Sequence, residues 1–286
     1  YGLAVWLGAG TVAEGAYLQL AFFVASTLLM MMLNNTNSLI RIYSRMVSCS
    51  FVAMTCAATF LFSSLESCAT GMCFILFYLS LLRSYQDKRA PGIAFYSFAC
   101  LGIASLFFVQ ILYFVPFLWI LMASNMMALT HRMFWATVLG LVMPYWFAVG
   151  YYVVTNQFDA FIDHFAELAQ FEPLLQYEAL DIHRIATFGL VVLLAVIGII
   201  HYMRNSYQDK IRTRMIFEMF ITVDILSFVF IILQPQHFDN LLPIIIVNTS
   251  CLFAHYVALT RTWLTNVTFI VMCLATLGLT IFNLMP

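Results

Sequence analysis

Long apolar stretches alternate with short polar ones along nearly the whole chain. A helix needs roughly 17–25 residues to cross the ~30 Å hydrocarbon layer of a bilayer. Stretches of that kind fall at 15–33, 47–63, 68–84, 92–109, 111–128, 133–155, 185–203, 214–233, 241–260 and 264–284. Each is predicted to be a spanning helix. The first segment, "YGLAVWLGAG", reads as the end of another apolar stretch, so a further span is expected before residue 8, with the chain starting inside a longer one. No long polar region is visible at either end, so no separate soluble domain is expected. The stretch from Pro91 to Thr130 is too long for one span and just enough for two, with Gln110 near its middle as the tip of a tight helical hairpin.

Composition agrees with the pattern. Of the 286 residues, 64% are hydrophobic and 9% charged, and the mean hydropathy is +0.96. A soluble domain carries about a quarter charged residues, and no soluble core of this size hides so much apolar surface. The fold class read from the sequence is all-α, a polytopic transmembrane helical bundle of ten or eleven spans. The 28 Phe and 16 Met suit packing and lipid contact rather than a cofactor site, and no cofactor is expected. The seven cysteines lack any C-x-x-C spacing and mostly sit in apolar runs, as small hydrophobes do. The six histidines show no H-x-x-x-H or H-E-x-x-H spacing, so no metal site is expected.

Charge then gives the weave a direction. With the 91–130 hairpin included, eleven of the twelve basic residues fall on one side of the membrane: Arg41, Arg45, Arg83, Lys88, Arg89, Arg132, Arg204, Lys210, Arg212, Arg214 and Arg261. Arg184 alone falls on the other, together with Glu14, Glu66, Asp159, Asp163, Glu167, Glu172, Glu178, Asp181 and Asp239. The positive-inside rule makes the basic side cytoplasmic. A single span over 91–130 would give the two halves opposite bias. The net charge of −1 therefore conceals a basic inner and an acidic outer face, which suits anionic lipid and argues against nucleic acid.

The pentapeptide "SYQDK" occurs at Ser84–Lys88 and again at Ser206–Lys210, each time after an apolar run. Reading on at constant offset, Phe98 matches Phe220, Ser105 matches Ser227 and Phe108 matches Phe230. Pro116 then falls opposite Pro243, and "ALTHR" opposite "ALTR", once the polar "QPQHFDN" is inserted. The chain is read as one integral membrane domain, 1–286, holding a leading helix pair (15–63), a four-helix unit (68–155), an outer-face amphipathic segment (156–184) and a second four-helix unit (185–284). The two units form a parallel internal repeat. Tyr85, Lys88, Arg89, Tyr207, Lys210 and Arg212 are assigned to lipid headgroup contact at the inner interface.

Ionisable groups within spans are costly and so mark function. Asp224 lies near the middle of the 214–233 span, opposite Gly102 of the first copy. Glu218 lies nearer the cytoplasm, within reach of His255, and His201 ends the preceding span on the same side. These four are expected to line a polar interior, as a proton relay or as a structural polar pairing between helices. A second candidate is external. Phe158, Phe161, Ile162, Phe165 and Leu168 recur at helical spacing while Asp159, Asp163 and Glu167 occupy i, i+4 and i+8. They describe an amphipathic helix on the outer surface, ended by Pro173. Arg184 could hold a lipid-linked phosphate there, with Asp163, Glu167 or Asp239 as base; the plainer reading is a local ion pair between Arg184 and Asp181.

The segments "LLMMMLNNTNSLIRIYSRM", "FACLGIASLFFVQILYFVPFLWILMA" and "VLGLVMPYWF" resemble an uncharacterised family of multi-pass bacterial inner-membrane proteins. The resemblance implies a multi-pass bacterial inner-membrane location and brings no active residues with it. "LGIASLFFVQILYFVPFLWIL" is also similar to multi-pass glycosyltransferases that use lipid-linked sugars. Their catalytic acids sit in a large first outer loop, whereas "GAGTVAEG" here is short and offers only Glu14. The expected function is a component of envelope biogenesis or transport. The alternatives are a transferase acting on a lipid-linked substrate at the outer face and a non-catalytic scaffold. Expected partners are membrane lipids, a lipid-linked substrate and other membrane proteins.

Overall fold

The computed structural model of the protein describes residues 16–170, 180–260 and 262–284. Among these there are eleven α-helices and no strand: α1 (Ala16–Asn37), α2 (Met46–Ala57), α3 (Leu65–Leu81), α4 (Pro91–Phe107), α5 (Val115–Ser124), α6 (His131–Val154), α7 (Phe158–Ala169), α8 (Ile182–Asn205), α9 (Ile211–Leu233), α10 (Phe238–Leu259) and α11 (Trp263–Leu284). Seven of the eleven, α1, α3, α6, α8, α9, α10 and α11, are long and apolar enough to cross a membrane. Of the ten expected spans, the other three meet shorter apolar helices, Met46–Ala57, Pro91–Phe107 and Val109–Ser124.

Local chemistry explains the short ones. α2 stops at Ala58 (φ −90°, ψ 63°) and continues as a 3₁₀ turn, Thr59–Ser63, where Thr, Phe and Ser are weaker helix formers than the Ala and Met before them. α4 stops at Phe108, which is extended, and a 3₁₀ segment Val109–Phe114 leads into α5. Pro116 lies in the first turn of α5, where a missing N–H breaks no helical bond.

The chain divides into two compact units, with the division inside α3. One comprises the residues up to Gly71 and those from 175 onward; the other is Met72–Leu174. At the centre of the first lies α10, whose residues from Ile244 to Tyr256 are all buried and which packs against α2, α8 and α9. Gly198 of α8 meets it so closely that a Cβ there would lie 2.9 Å from the Leu252 carbonyl carbon, the kind of approach that small residues permit between membrane helices. The helices of this unit share two ends. At one, Arg212 donates to Asn37 (3.0 Å), Arg41 to Gln208 (2.8 Å), and His255 meets Asp209 (2.9 Å). At the other, Arg184 meets Asp239, and the Asn283 amide donates to the Ala57 carbonyl (2.7 Å) and the Thr187 hydroxyl (2.9 Å).

In the second unit α4 and α6 run side by side in the same direction. The Cβ-less positions Gly102 and Gly140 sit against the Leu141 and Phe95 carbonyls, respectively. The Tyr145 hydroxyl donates to Ser105 Oγ at 2.7 Å. Between them the chain doubles back, for the Gln86 amide, before α4, bonds to the Met126 carbonyl, after α5 (2.9 Å). The reversal sits where the sequence placed it, but Gln110 is buried within it rather than solvated. The amphipathic helix forms as α7. Phe161 and Phe165 pack on Tyr145, and Phe161 on Tyr152, while His164 Nε2 bonds to the Ser105 carbonyl (3.1 Å) and the Tyr113 hydroxyl donates to the Leu168 carbonyl. Pro173, Glu14, Glu172, Glu178 and Arg261 lie outside the described residues.

Candidate functional site

Asp209 and His255 form the most enclosed acid–base contact among the described residues' carboxylate pairings with a basic side chain. Asp209 lies two residues before α9 begins, and His255 lies four before α10 ends, so both fall within about a turn of the same end of the bundle. His255 Nε2 lies 2.9 Å from Asp209 Oδ2, and the two side chains are 1% and 3% exposed. Phe217 and Tyr202 close the imidazole in, with ring centroids 4.9 and 5.8 Å away. Nδ1 of His255 is buried without a hydrogen-bond partner.

His201 completes the group. Its ring lies 5.7 Å from that of His255; its Nδ1 meets the Asn205 amide at 3.1 Å and its Nε2 the Thr260 hydroxyl at 3.5 Å. Asp209, His255 and His201 open on a cavity of ≈ 210 Å³ that Arg41, Gln208 and Thr260 also line. A larger recess of ≈ 480 Å³ shares Arg41, Gln208 and Asp209 and continues along Asn34, Tyr43 and Lys210. A carboxylate, two imidazoles and a guanidinium around one cavity can bind a charged solute or pass a proton from ring to ring.

Of the four residues expected to share a polar interior, His201 and His255 are together. Glu218 is exposed on α9, seven residues or about 10 Å into the helix, whereas His255 is only about 6 Å from its own helix end. The partner of His255 is Asp209, which lies in the second polar "SYQDK" stretch between two apolar runs. Counting depth from the helix ends would have found it. Asp224 is apart again. It is 0% exposed, takes one hydrogen bond from the Thr249 hydroxyl (3.1 Å), and leaves Oδ1 without a hydrogen-bond partner. Asn248, Thr249 and Ser250 of α10 and Ser227 of α9 are buried as completely, which makes this a polar seam between two helices.

The outer candidates belong to different units. Arg184 spends Nε and Nη2 on both oxygens of Asp239 (2.9 and 3.0 Å), and its guanidinium carbon lies 5.3 Å from the centre of the Phe60 ring. With Asp181 it shares a backbone bond, from its N–H to the Asp181 carbonyl (3.0 Å). Asp163 and Glu167 are exposed on α7 of the other unit. Among the headgroup candidates Lys88, Arg89, Tyr207 and Lys210 are exposed, while Tyr85 and Arg212 are half-buried. Among the described residues no group of three or more His, Cys, Asp or Glu side chains is placed to hold a metal ion. No protein-family model, curated protein or solved structure matches the chain.

Proposed function

We propose that the protein is a multi-pass component of a bacterial inner membrane that serves envelope biogenesis or transport through the polar cavity at the Asp209–His255 end of its first unit. The observation that carries this is the enclosed carboxylate–imidazole pair bordering a cavity with His201 and Arg41. Desolvating an ionisable pair inside a membrane bundle is expensive, and a purely structural helix contact does not need a cavity beside it. The basic end of the unit is read as cytoplasmic by the positive-inside rule. The internal repeat belongs to the same reading. Both pentapeptides turn alike, with the Asp87 and Asp209 amides bonding to Ser84 and Ser206 carbonyls, and Gln86 and Gln208 donating to the preceding Tyr hydroxyl. The duplication has diverged at its aspartates: Asp87 is exposed and accepts from the Arg89 amide, while Asp209 is enclosed with His255. The transferase alternative through Arg184 draws less support, because Asp239 already takes two of its donors. The resemblance to uncharacterised inner-membrane proteins fits the same assignment.

The test is complementation in a host bacterium from which the coding gene has been deleted. Deletion should sensitise the envelope to detergent. Wild type should restore resistance, and Asp209→Asn and His255→Ala should fail to do so while accumulating in the membrane at normal levels. Full restoration by both variants would leave only a scaffold role.

A further inference from the structure

We propose that the first unit binds an anionic phospholipid in one continuous site, its phosphate held at the mouth of the basic recess and an acyl chain laid in the groove between α2 and α11. The proposal deepens the function proposed above by naming a ligand class for the same end of the bundle, and it rests on that reading only for its biological purpose.

Two cavities are lined by neighbouring stretches of chain there. Tyr43 and Ser44 are among the residues lining the ≈ 480 Å³ recess, and the Met46 amide donates to Ser44 Oγ (3.2 Å). A second groove, ≈ 310 Å³ and apolar in its lining, begins two residues on at Met46. Cys49, Ser50 and Ala53 follow at one-face spacing along α2, and Phe269, Met272, Cys273 and Thr276 repeat that spacing along α11. Leu194 of α8 and Phe253 of α10 complete its lining. From Met46 to Met54 the wall runs about 12 Å along the helix axis, enough to take a good part of an acyl chain.

Charge selects the headgroup. Arg41 and Lys210 line the recess and are exposed, and Arg45, also exposed, directly precedes Met46. The carboxylate in the recess, Asp209, is already turned to His255. A phosphate with no compensating cation therefore meets a surplus of positive charge, whereas a zwitterionic headgroup brings its own ammonium to it. Tyr43, 85% exposed beside the recess, and Trp263, 79% exposed at the start of α11, are residue types that settle at headgroup level.

Cys49 and Cys273 are exposed free thiols on opposite walls of the groove, so occupancy can be read directly. The full chain, purified in detergent and stripped of lipid, is treated with N-ethylmaleimide, and alkylation at each cysteine is followed by peptide mass mapping, with Cys100 in the other unit as reference. Phosphatidylglycerol should slow modification of Cys49 and Cys273 but not of Cys100, and phosphatidylcholine should do so far less. Arg41→Gln and Lys210→Gln should each weaken the phosphatidylglycerol effect about fivefold in half-protecting concentration. Equal protection by phosphatidylcholine, or none by either lipid, overturns the proposal. Protection by inorganic phosphate alone overturns it in favour of a soluble anion. Because the readout is lipid occupancy, it can succeed while Asp209→Asn still complements, in which case the lipid site stands and the proposed function falls.

Discussion

At the scale of single residues, the two ends of α10 carry carboxylate contacts of different character. Asp209–His255 is almost wholly enclosed, but Arg184–Asp239 is about a third exposed on each side. Water screens the second pair, so its removal should matter little: Arg184→Ala is expected to cost about 1 kcal/mol or less, a few degrees in detergent thermal unfolding, and to complement fully. Loss of complementation with normal stability would instead revive the transferase. Residue-level legibility was uneven for a physical reason. Hydropathy flags a charge inside an apolar run, and so it found Asp224, His255 and His201. It overlooks a carboxylate in a polar loop, and Asp209 became a site residue only because the turn after α8 folds it back beneath α10. Glu218 was flagged by the same rule, yet its side chain faces out, since hydropathy does not report which face of a helix is buried.

Elements were more legible than their ends. Each of the ten stretches between 15 and 284 has a helix at its place, seven of them long and apolar enough to cross a membrane, because apolar length is a direct demand of the bilayer thickness. The further span expected before residue 8 lies outside the described residues. The breaks at Ala58 and Phe108 were not legible, since nothing in the periodicity separates an α-helix from a tighter apolar 3₁₀ turn. Packing of α4 on α6 depends on glycine at the contact. A Cβ at Gly140 would run into the Phe95 backbone, while one at Gly150 in the same helix meets nothing within 4 Å. Gly140→Leu should therefore lower stability by about 1–3 kcal/mol or more, read as lost thermal stability in detergent, and Gly150→Leu should be near neutral. Similar losses from both would mean that helix propensity, rather than close approach, decides the outcome.

For the whole molecule, the charge-sorted weave makes a claim that labelling can check. Cysteines placed at exposed Lys88 and Lys210 should react only with reagent supplied from the cytoplasmic side, and a cysteine at Asp163 only from outside. Labelling of 88 and 210 from opposite sides would break both the span count and the repeat. A different consequence follows from Asn283. Its amide bonds the Ala57 carbonyl across 226 residues of chain. At ribosomal speeds of about 5–20 residues per second, roughly ten to forty-five seconds separate the two partners' emergence. Throughout that interval the Ala57 carbonyl lacks the partner that the finished chain gives it, so this clasp between the two helices can close only after the last of them has been translated.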